Sequence, residues 1–238
     1  MIKYLLALLV GLAAGVAAFL ALLYYNPLTT QQGLSPITVT DNDVIKLGYS
    51  AVAEDMLIYT NNGDSRIDPH PDPHPAKVLQ LWEKPIRKTR AMATVLTDSR
   101  GQTAGIGIKF SSDSESTNIL NGQLIVDSVW HIYMPERGSL FVAQTENFWT
   151  YVREIIIPAY WSSADSWRGI WRGNITAGPG ALGTASVVGG SGEFAGLNSE
   201  AVEALSAKAY SVEIGPVAMD GELSIEIPRE ELETNPDP

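Results

Sequence analysis

The first pattern along the chain is a long apolar run at the N-terminus. Residues Tyr4–Tyr25 include no charged or strongly polar side chain. About 20 apolar residues in a helix span a hydrocarbon core of about 30 Å. We therefore predict a transmembrane signal-anchor helix over residues 1–25, which would hold the protein in the membrane through Tyr4–Tyr25.

The alternative for this run is a cleaved signal peptide, with Val16-Ala17-Ala18 as the small-x-small site. Cleavage there would leave an exposed apolar start at Phe19, which favours the uncleaved anchor. Lys3 precedes the run and the next cation is Lys46. Because cationic flanks stay in the cytoplasm, we expect a single-pass protein with a cytoplasmic N-terminus and its remainder on the periplasmic or extracytoplasmic side.

Gly11 and Gly15 lie four residues apart in the predicted helix. A helix face with small residues at this spacing allows close approach of a second helix. The alternative is that glycine is simply frequent in membrane helices. The spacing makes this face a candidate for helix packing within a membrane complex.

The second pattern begins near Ala76, where short apolar runs alternate with turn residues. This pattern is typical of an all-β domain. The predicted strands are Lys77–Glu83, Ala91–Leu96, Gly105–Phe110, Gln123–Met134, Ser139–Gln144, Gly183–Val188, Ala209–Val212 and Glu222–Ile227. In Gln123–Met134 the apolar residues fall on both parities, which predicts a bulge or burial on both faces.

Polar and proline-rich segments flank this domain. Residues 26–75 end in Asp68-Pro-His-Pro-Asp-Pro-His-Pro75, where alternate prolines favour a stiff polyproline II spacer. Residues 229–238 are acidic and end in proline, so we expect a disordered tail. The predicted organisation is an anchor over 1–25, a linker over 26–75 with a possible short strand, and a β domain over 76–228.

Phe148–Trp171 interrupts the strand pattern with a dense group of aromatic residues. Such a segment could be an insertion over the end of the domain, a lid on an apolar ligand, or a patch that touches the bilayer. Aromatic residues also fill ordinary cores, which remains an equal alternative. The ligand or lid candidates are Trp149, Tyr160, Trp161, Trp167 and Trp171.

A glycine-rich stretch follows the strand predicted over Gly183–Val188, and it permits two interpretations. A phosphate loop would need the spacing G-x-G-x-x-G between a strand and a helix, and here the spacing is wrong. No series of alternating strands and helices precedes it. We therefore interpret it as a tight turn between strands, with Phe194 directed into the core. The turn residues are Gly189, Gly190, Gly192, Phe194 and Gly196.

Composition narrows the possible functions. The net charge of −11 repels phosphate backbones, so no nucleic-acid partner is expected. The chain has no cysteine, which excludes disulfides, thiolate metal sites and a cysteine nucleophile. His70 and His74 alternate with prolines and would splay around a polyproline II axis instead of converging on a metal. We expect neither a metal nor a cofactor.

Two ionisable residues remain as candidates for chemistry. Glu83 ends an apolar predicted strand and could point into the interior, where burial would raise its pKa. The alternative is an exposed strand end paired with Lys84 or Arg87. His131 lies in an apolar strand without a nucleophile or acid at a suitable spacing, which favours a structural role.

Val188-Gly-Gly-Ser-Gly-Glu-Phe-Ala-Gly196 resembles the glycine turn of the allene oxide cyclase and dirigent-type proteins. Weaker matches are residues 101–106, residues 138–144 and Lys77–Glu83. The resemblance implies an antiparallel eight-stranded barrel with an apolar cavity, commonly a trimer. It also implies a glutamate on the first strand, for which Glu83 is the counterpart here, as a catalytic acid or base.

Three functions follow from these observations. The first is a membrane-tethered barrel that serves as a binding or assembly module for an apolar small molecule or a membrane-protein partner. The second is an isomerase or cyclase of a lipid-derived or terpenoid substrate, with Glu83 in the barrel cavity. The third is a structural accessory subunit of a membrane complex, held through Gly11 and Gly15. A homotrimer is compatible with each of them.

Overall fold

The computed structural model describes residues 2–25, 43–52, 55–61, 64–66 and 89–228. The predicted strand Lys77–Glu83, most of the linker over 26–75 and the tail over 229–238 lie outside the described residues. The helix α1 covers Ile2–Tyr25. Its segment Lys3–Leu22 is long and apolar enough to cross a membrane, and none of it is buried against the rest of the protein.

The remainder of the described chain is mainly β. The strands are β1 Asp43–Ser50, β2 Leu57–Asn61, β3 Asp64–Arg66, β4 Arg90–Thr97, β5 Thr103–Asp113, β6 Ile125–Met134, β7 Gly138–Asn147, β8 Ser166–Asn174, β9 Thr176–Gly178, β10 Ala185–Gly192, β11 Asn198–Ser211 and β12 Gly215–Ile227. One turn of 3-10 helix covers Ile119–Asn121. Burial alternates along β6, β7, β11 and β12, so that one face of each of these strands lies inside and the other outside.

Eight antiparallel strands form a ring in the order β1-β12-β11-β10-β7-β6-β5-β4. The ring closes where β4 pairs with β1 through Gly48 and Thr97. β10 pairs with both β7 and β11, but only along part of their length. Further along, β8 pairs with the second half of β11 and β9 pairs with the end of β7. The inner faces of the strands therefore surround a common interior.

Several strands differ from the sequence-based expectations, which include no strand at β2, β3 or β9 and place β8 partly inside Phe148–Trp171. The largest differences are at β1 and β11. β1 lies in the segment assigned to the linker, yet it pairs with β12 over its whole length. The ring is therefore not confined to residues 76–228. β11 extends well beyond the predicted Ala209–Val212 and includes Ser199–Lys208, which is rich in helix formers. Pairing on both edges of β11 outweighs that local propensity.

β6 has no bulge, because its register with both β5 and β7 is continuous. Trp130, Ile132 and Met134 are buried, whereas Val129 and Tyr133 are exposed on the other face. The mixed parity of its apolar residues therefore comes from a strand that is apolar on both faces, with one of the faces open to solvent.

The aromatic segment forms a short helical cap after β7, which we call the cap segment, residues 149–161. It consists of α2 Trp149–Tyr151, a π-helical turn Val152–Ile156 and α3 Ile157–Trp161. Ile155 is fully buried, and Tyr151 packs edge-on against Trp171 and Tyr210. These contacts join the cap segment to the same hydrophobic core as the ring.

The outer surface of the ring has two unlike halves. Outward-facing positions on β1 and β12 are mostly polar or charged, such as Lys46, Asp220 and Glu222, although Val44 is also exposed. The outer face of β4, β5, β6, β7 and β10 carries exposed apolar side chains. We call this set the outer apolar face: Val95, Ile106, Phe110, Val129, Tyr133, Phe141 and Val188.

Candidate functional site

Three ionisable side chains meet inside the ring. Lys109 on β5, Glu146 on β7 and Glu203 on β11 point inward and are 7%, 1% and 0% exposed. The Lys109 Nζ lies 2.6 Å from Glu146 Oε1 and 2.9 Å from Glu203 Oε1. We call these three residues the buried triad. One ammonium and two carboxyl groups share a space from which bulk water is excluded.

Neutral donors surround the Glu203 carboxylate. The Tyr49 hydroxyl and the Gln144 amide both donate to it. The Trp130 indole N–H donates to Glu203 Oε2 at 3.0 Å. With Lys109, these groups supply the full set of donors that a buried carboxylate needs in order to stay ionised.

Glu146 has a different environment. Its Oε1 accepts from Ser128 Oγ, from Gln144 Nε2 at 2.8 Å and from Lys109. Thr176 fixes the Gln144 side chain, because its hydroxyl donates to Gln144 Oε1 at 3.1 Å and accepts the Glu203 backbone N–H at 2.7 Å. Gln144 thus connects the two carboxyl groups.

The two carboxyl groups are shifted in opposite directions. Burial raises the pKa of Glu146, and the negative charge of Glu203 adds to this against the opposing pull of Lys109. Burial also opposes ionisation of Glu203. There Lys109 and the hydrogen bonds from Tyr49 and Trp130 prevail, and the pKa of Glu203 lies below its usual value. The pKa of Glu146 is therefore raised and that of Glu203 lowered within one buried cluster.

Lys109 and Tyr49 keep their protons. Burial alone would lower the pKa of Lys109, but the adjacent Glu146 and Glu203 outweigh it and the pKa is raised. Burial, together with the charge of Glu203, raises the pKa of Tyr49 well above its usual value. A pair of carboxyl groups with divergent pKa values is the arrangement on which acid–base enzymes rely.

The predicted catalytic residue, Glu83, lies outside the described residues. His131, which we expected to be structural, is partly exposed on the outside of β6 and stacks on Phe141 at 4.6 Å between ring centroids. Within the described ranges, no group of three or more His, Asp or Glu side chains is placed to hold a metal ion.

The five aromatic candidates separate into two groups. Trp149 and Trp171 are buried, and Trp167 is partly buried against the core. The Trp171 indole donates to Glu154 Oε2 at 2.8 Å, whereas the buried Trp149 Nε1 has no hydrogen-bond partner within the described part of the chain. Tyr160 and Trp161, at the end of the cap segment, are exposed.

The glycine-rich stretch is only partly a turn, because β10 extends to Gly192 and pairs with β7 that far, so that residues 193–197 alone connect β10 to β11. Gly192 and Gly196 have positive φ angles of 63° and 78°, whereas Gly189 and Gly190 do not. At Gly189 a Cβ would overlap the carbonyl oxygen of Phe194, so this position requires glycine through close backbone approach. The Phe194 side chain is buried in the core. The helix-packing candidates Gly11 and Gly15 have open space around them.

Sequence reasoning did not select any member of the buried triad. Along β11, Glu203 shares its parity with Ala201, Leu205 and Ala207, and an acid in an apolar alternation is a signal that could have found it. Along β5 the apolar residues Ile106 and Phe110 face outward, so the pattern assigns Lys109 to solvent. Because apolar residues occupy the exposed face of β5, the sequence pattern places Lys109 on the wrong face.

Two surface hollows lie on the outside of the ring, and neither is lined by a member of the triad. A hollow of about 380 Å³ lies on the outer apolar face beside Phe110 and Val129. A groove of about 740 Å³ runs beside Lys208, Arg172 and Glu222. Hydrogen-bond partners of the two triad carboxyl groups line both hollows, namely Gln144 in the first and Tyr49 in the second.

No family model matches the chain, and no curated protein matches it. One similar solved structure is described as a nonspecific heme-binding cyclase that catalyses a 4 + 2 cycloaddition during neoabyssomicin biosynthesis. It aligns with a TM-score of 0.34 and 9% identity over 87% of this chain and 78% of that one. The likeness is too distant to assign a family or a reaction to this chain.

Proposed function

We propose that the chain is a membrane-anchored isomerase or cyclase that acts on an apolar, lipid-derived or terpenoid substrate. The ring would be a closed barrel of the allene oxide cyclase and dirigent type, on the periplasmic side of the membrane. The observation that carries the proposal is the buried triad, with its two carboxyl groups of opposite pKa shift in the interior of the ring.

The cost of the triad supports a functional role. Burying an ion pair costs several kcal/mol per ion in desolvation, and apolar residues of similar volume often stabilise a protein as well or better. Strongly perturbed groups with specific partners cluster at functional sites. A triad without a chemical role would therefore lower the stability of the fold relative to an apolar interior and bring no functional gain.

Glu146 is the residue suited to move a proton. As a neutral acid it can donate its proton to a substrate oxygen, and Lys109 at 2.6 Å stabilises the carboxylate that forms. The same carboxylate then takes a proton back as the rearranged product is released. No proton or electron is consumed, which fits an isomerisation. Glu203, saturated by donors, supplies the fixed charge that keeps Lys109 in place.

The cap segment is the element suited to admit a substrate. It covers the end of the ring towards which β7 runs, and Glu146 lies three residues before Trp149, where the cap begins. The unpartnered Trp149 Nε1 is a donor that an oxygen of a bound molecule could satisfy. Movement of the cap would open a path to Glu146 without disturbing the pairing of the ring.

The test is Glu146→Gln, which keeps the shape of the side chain and removes the proton. Membranes that carry the wild-type or the variant chain are extracted, and apolar compounds are compared by liquid chromatography and mass spectrometry. We expect a compound that accumulates with Glu146→Gln and that purified wild-type protein converts to an isomer of equal mass. Glu222→Gln, on the outer face, should behave as wild type. Identical extracts from all three proteins would refute the proposal.

A second candidate is a binding or assembly module, or an accessory subunit of a membrane complex. The outer apolar face favours it, because contiguous exposed apolar surface marks interaction sites. Cross-strand registers place Val95 beside Ile106 and Ile106 beside Tyr133, and likewise Phe141 beside Val188. This face would join copies of the chain, as in a homotrimer, or hold a membrane-protein partner.

A further inference from the structure

The cap segment ends in two exposed aromatic residues that its packing does not explain. Tyr160 is 59% exposed and Trp161 is 74% exposed, whereas Ile155 in the same segment is fully buried. The turn between β11 and β12 lies beside them, because the Val212 N–H donates to the Asp165 carbonyl at 2.9 Å. Ile214 in that turn is 62% exposed. Three large apolar side chains therefore project from one end of the ring.

The membrane-spanning candidate α1 reaches the same end. The ring of Tyr24, near the last residue of α1, lies 5.7 Å from the ring of Trp161 between centroids. The apolar segment Lys3–Leu22 comprises 20 residues. At a rise of about 1.5 Å per residue it matches a hydrocarbon core of about 30 Å. Tyr24 would then lie at the level of the lipid headgroups, and Trp161 with it.

The chemistry of the exposed residues suits that level. Tyrosine and tryptophan are enriched where the hydrocarbon meets the headgroups, because each has an apolar body and a polar group. In the cap, Arg153 and Glu154 form a salt bridge of 2.5 Å, so this pair adds no net charge beside the exposed aromatic residues. A zwitterionic surface would suffice.

We propose that Tyr160, Trp161 and Ile214 form an interfacial patch that inserts into the headgroup region of the same leaflet in which α1 ends. The occupant of the patch is the lipid bilayer. The ring would rest on the membrane through its cap instead of standing away from it. The inference depends on insertion of α1 and is independent of whether the triad is catalytic.

The experiment uses single cysteines, since the chain has none of its own. The full chain with Tyr160→Cys or Ile214→Cys is labelled with an environment-sensitive fluorophore and reconstituted into phosphatidylcholine vesicles. The matched control is Ala195→Cys. Ala195 lies in the exposed turn after β10, at the end of the ring opposite to the cap segment. Leu12→Cys, in the middle of α1, reports insertion of the helix.

At positions 160 and 214 we expect fluorescence emission at shorter wavelength and quenching by nitroxide-labelled lipid. Both effects should be stronger at position 12 and absent at position 195. Water-like emission without quenching at positions 160 and 214 beside an inserted position 12 would overturn the patch. A position 12 that remains in water would overturn it as well, because its placement starts from an inserted helix. Equal quenching at position 195 would indicate adsorption of the whole ring and contradict a specific patch.

Discussion

At the level of single residues, Lys109 supplies the positive charge that faces the buried carboxyl groups. Among the described residues it is the one cation in contact with both Glu146 and Glu203. Lys109→Met should destabilise the protein by about 3–5 kcal/mol, the usual cost of breaking a buried ion pair from one side. Urea unfolding in detergent would measure it.

The matched control is Lys46→Met on β1. Lys46 lies 3.8 Å from Glu222 on the exposed outer face. Exposed pairs contribute little, so the free energy of unfolding should change by no more than about 0.5 kcal/mol. Equal losses in both lysine variants would mean that the triad is not a buried network.

The raised pKa of Glu146 makes its contribution to stability depend on pH. Proton binding by Glu146 stabilises the folded protein below the unfolded pKa, and this stabilisation is lost as the pH rises through the higher folded pKa. Glu203 acts oppositely, because its contribution is lost as the pH falls through its lowered folded pKa. The two carboxyl groups therefore have opposite pH signatures.

Glu146→Gln removes the pH dependence of stability that Glu146 contributes and leaves that of Glu203. The melting temperature of Glu146→Gln, minus that of wild type, should therefore rise from about pH 5 to about pH 8. Thermal unfolding across that range measures it, with Glu222→Gln as the exposed control. A difference that falls with pH would show that Glu146 is ionised in the folded protein.

The sequence could predict one member of the triad but not the others. Glu203 interrupts an apolar alternation, and that pattern is visible in the chain. Glu146 shares its parity with the buried Leu140 and Val142, but Gln144 interrupts the apolar alternation before it. Lys109 is different, because its inward direction follows from an outer face of β5 that is itself apolar. Alternation along a strand assigns its residues to two faces, but it does not show which face lies inside when both faces are apolar enough to be buried.

At the level of elements, the cap segment is held by a few deeply buried contacts. Ile155 in its π-helical turn is fully buried, whereas Ile170 on β8 is 96% exposed. Ile155→Ala should cost about 2–5 kcal/mol through lost burial and the cavity left behind. Ile170→Ala, the same chemical change, should stay within about 0.5 kcal/mol.

Hydrogen exchange would localise the Ile155→Ala effect. If the cap moves independently, residues 149–161 should lose protection while the ring strands keep theirs. Uniform loss of protection across β5, β6 and β7 would instead make the cap an inseparable part of the core, and would argue against a cap that opens to admit substrate.

Strands with strict alternation and clear turns were predictable, as β4, β5 and β7 illustrate. β1 was not, since it follows a turn-rich segment and gains its stability from pairing with β12. β11 was not either, because its alanines and glutamates favour helix locally while its position between two neighbours favours a strand. Long-range pairing, which single-sequence patterns do not encode, decided both.

At the level of the whole molecule, the asymmetry of the ring surface indicates how copies of the chain would meet. The outer apolar face spans five adjacent strands, whereas β1 and β12 present charges outward. Like-charge and desolvation costs disfavour contact through the polar half, and burial of exposed Ile and Phe side chains favours contact through the apolar half. We therefore expect self-association through β4–β7 and β10.

Ile106→Lys tests this expectation, because Ile106 is 54% exposed near the middle of the outer apolar face. A charge there would be buried without a partner in any assembly through this face, which costs several kcal/mol at each contact. Size-exclusion chromatography with light scattering in mild detergent should show an oligomer for wild type and a monomer for Ile106→Lys. Val44→Lys, at a 42% exposed site on β1, should leave the oligomer intact. If Val44→Lys dissociates it and Ile106→Lys does not, the contact lies on the polar half, and the apolar face must be covered by a different protein.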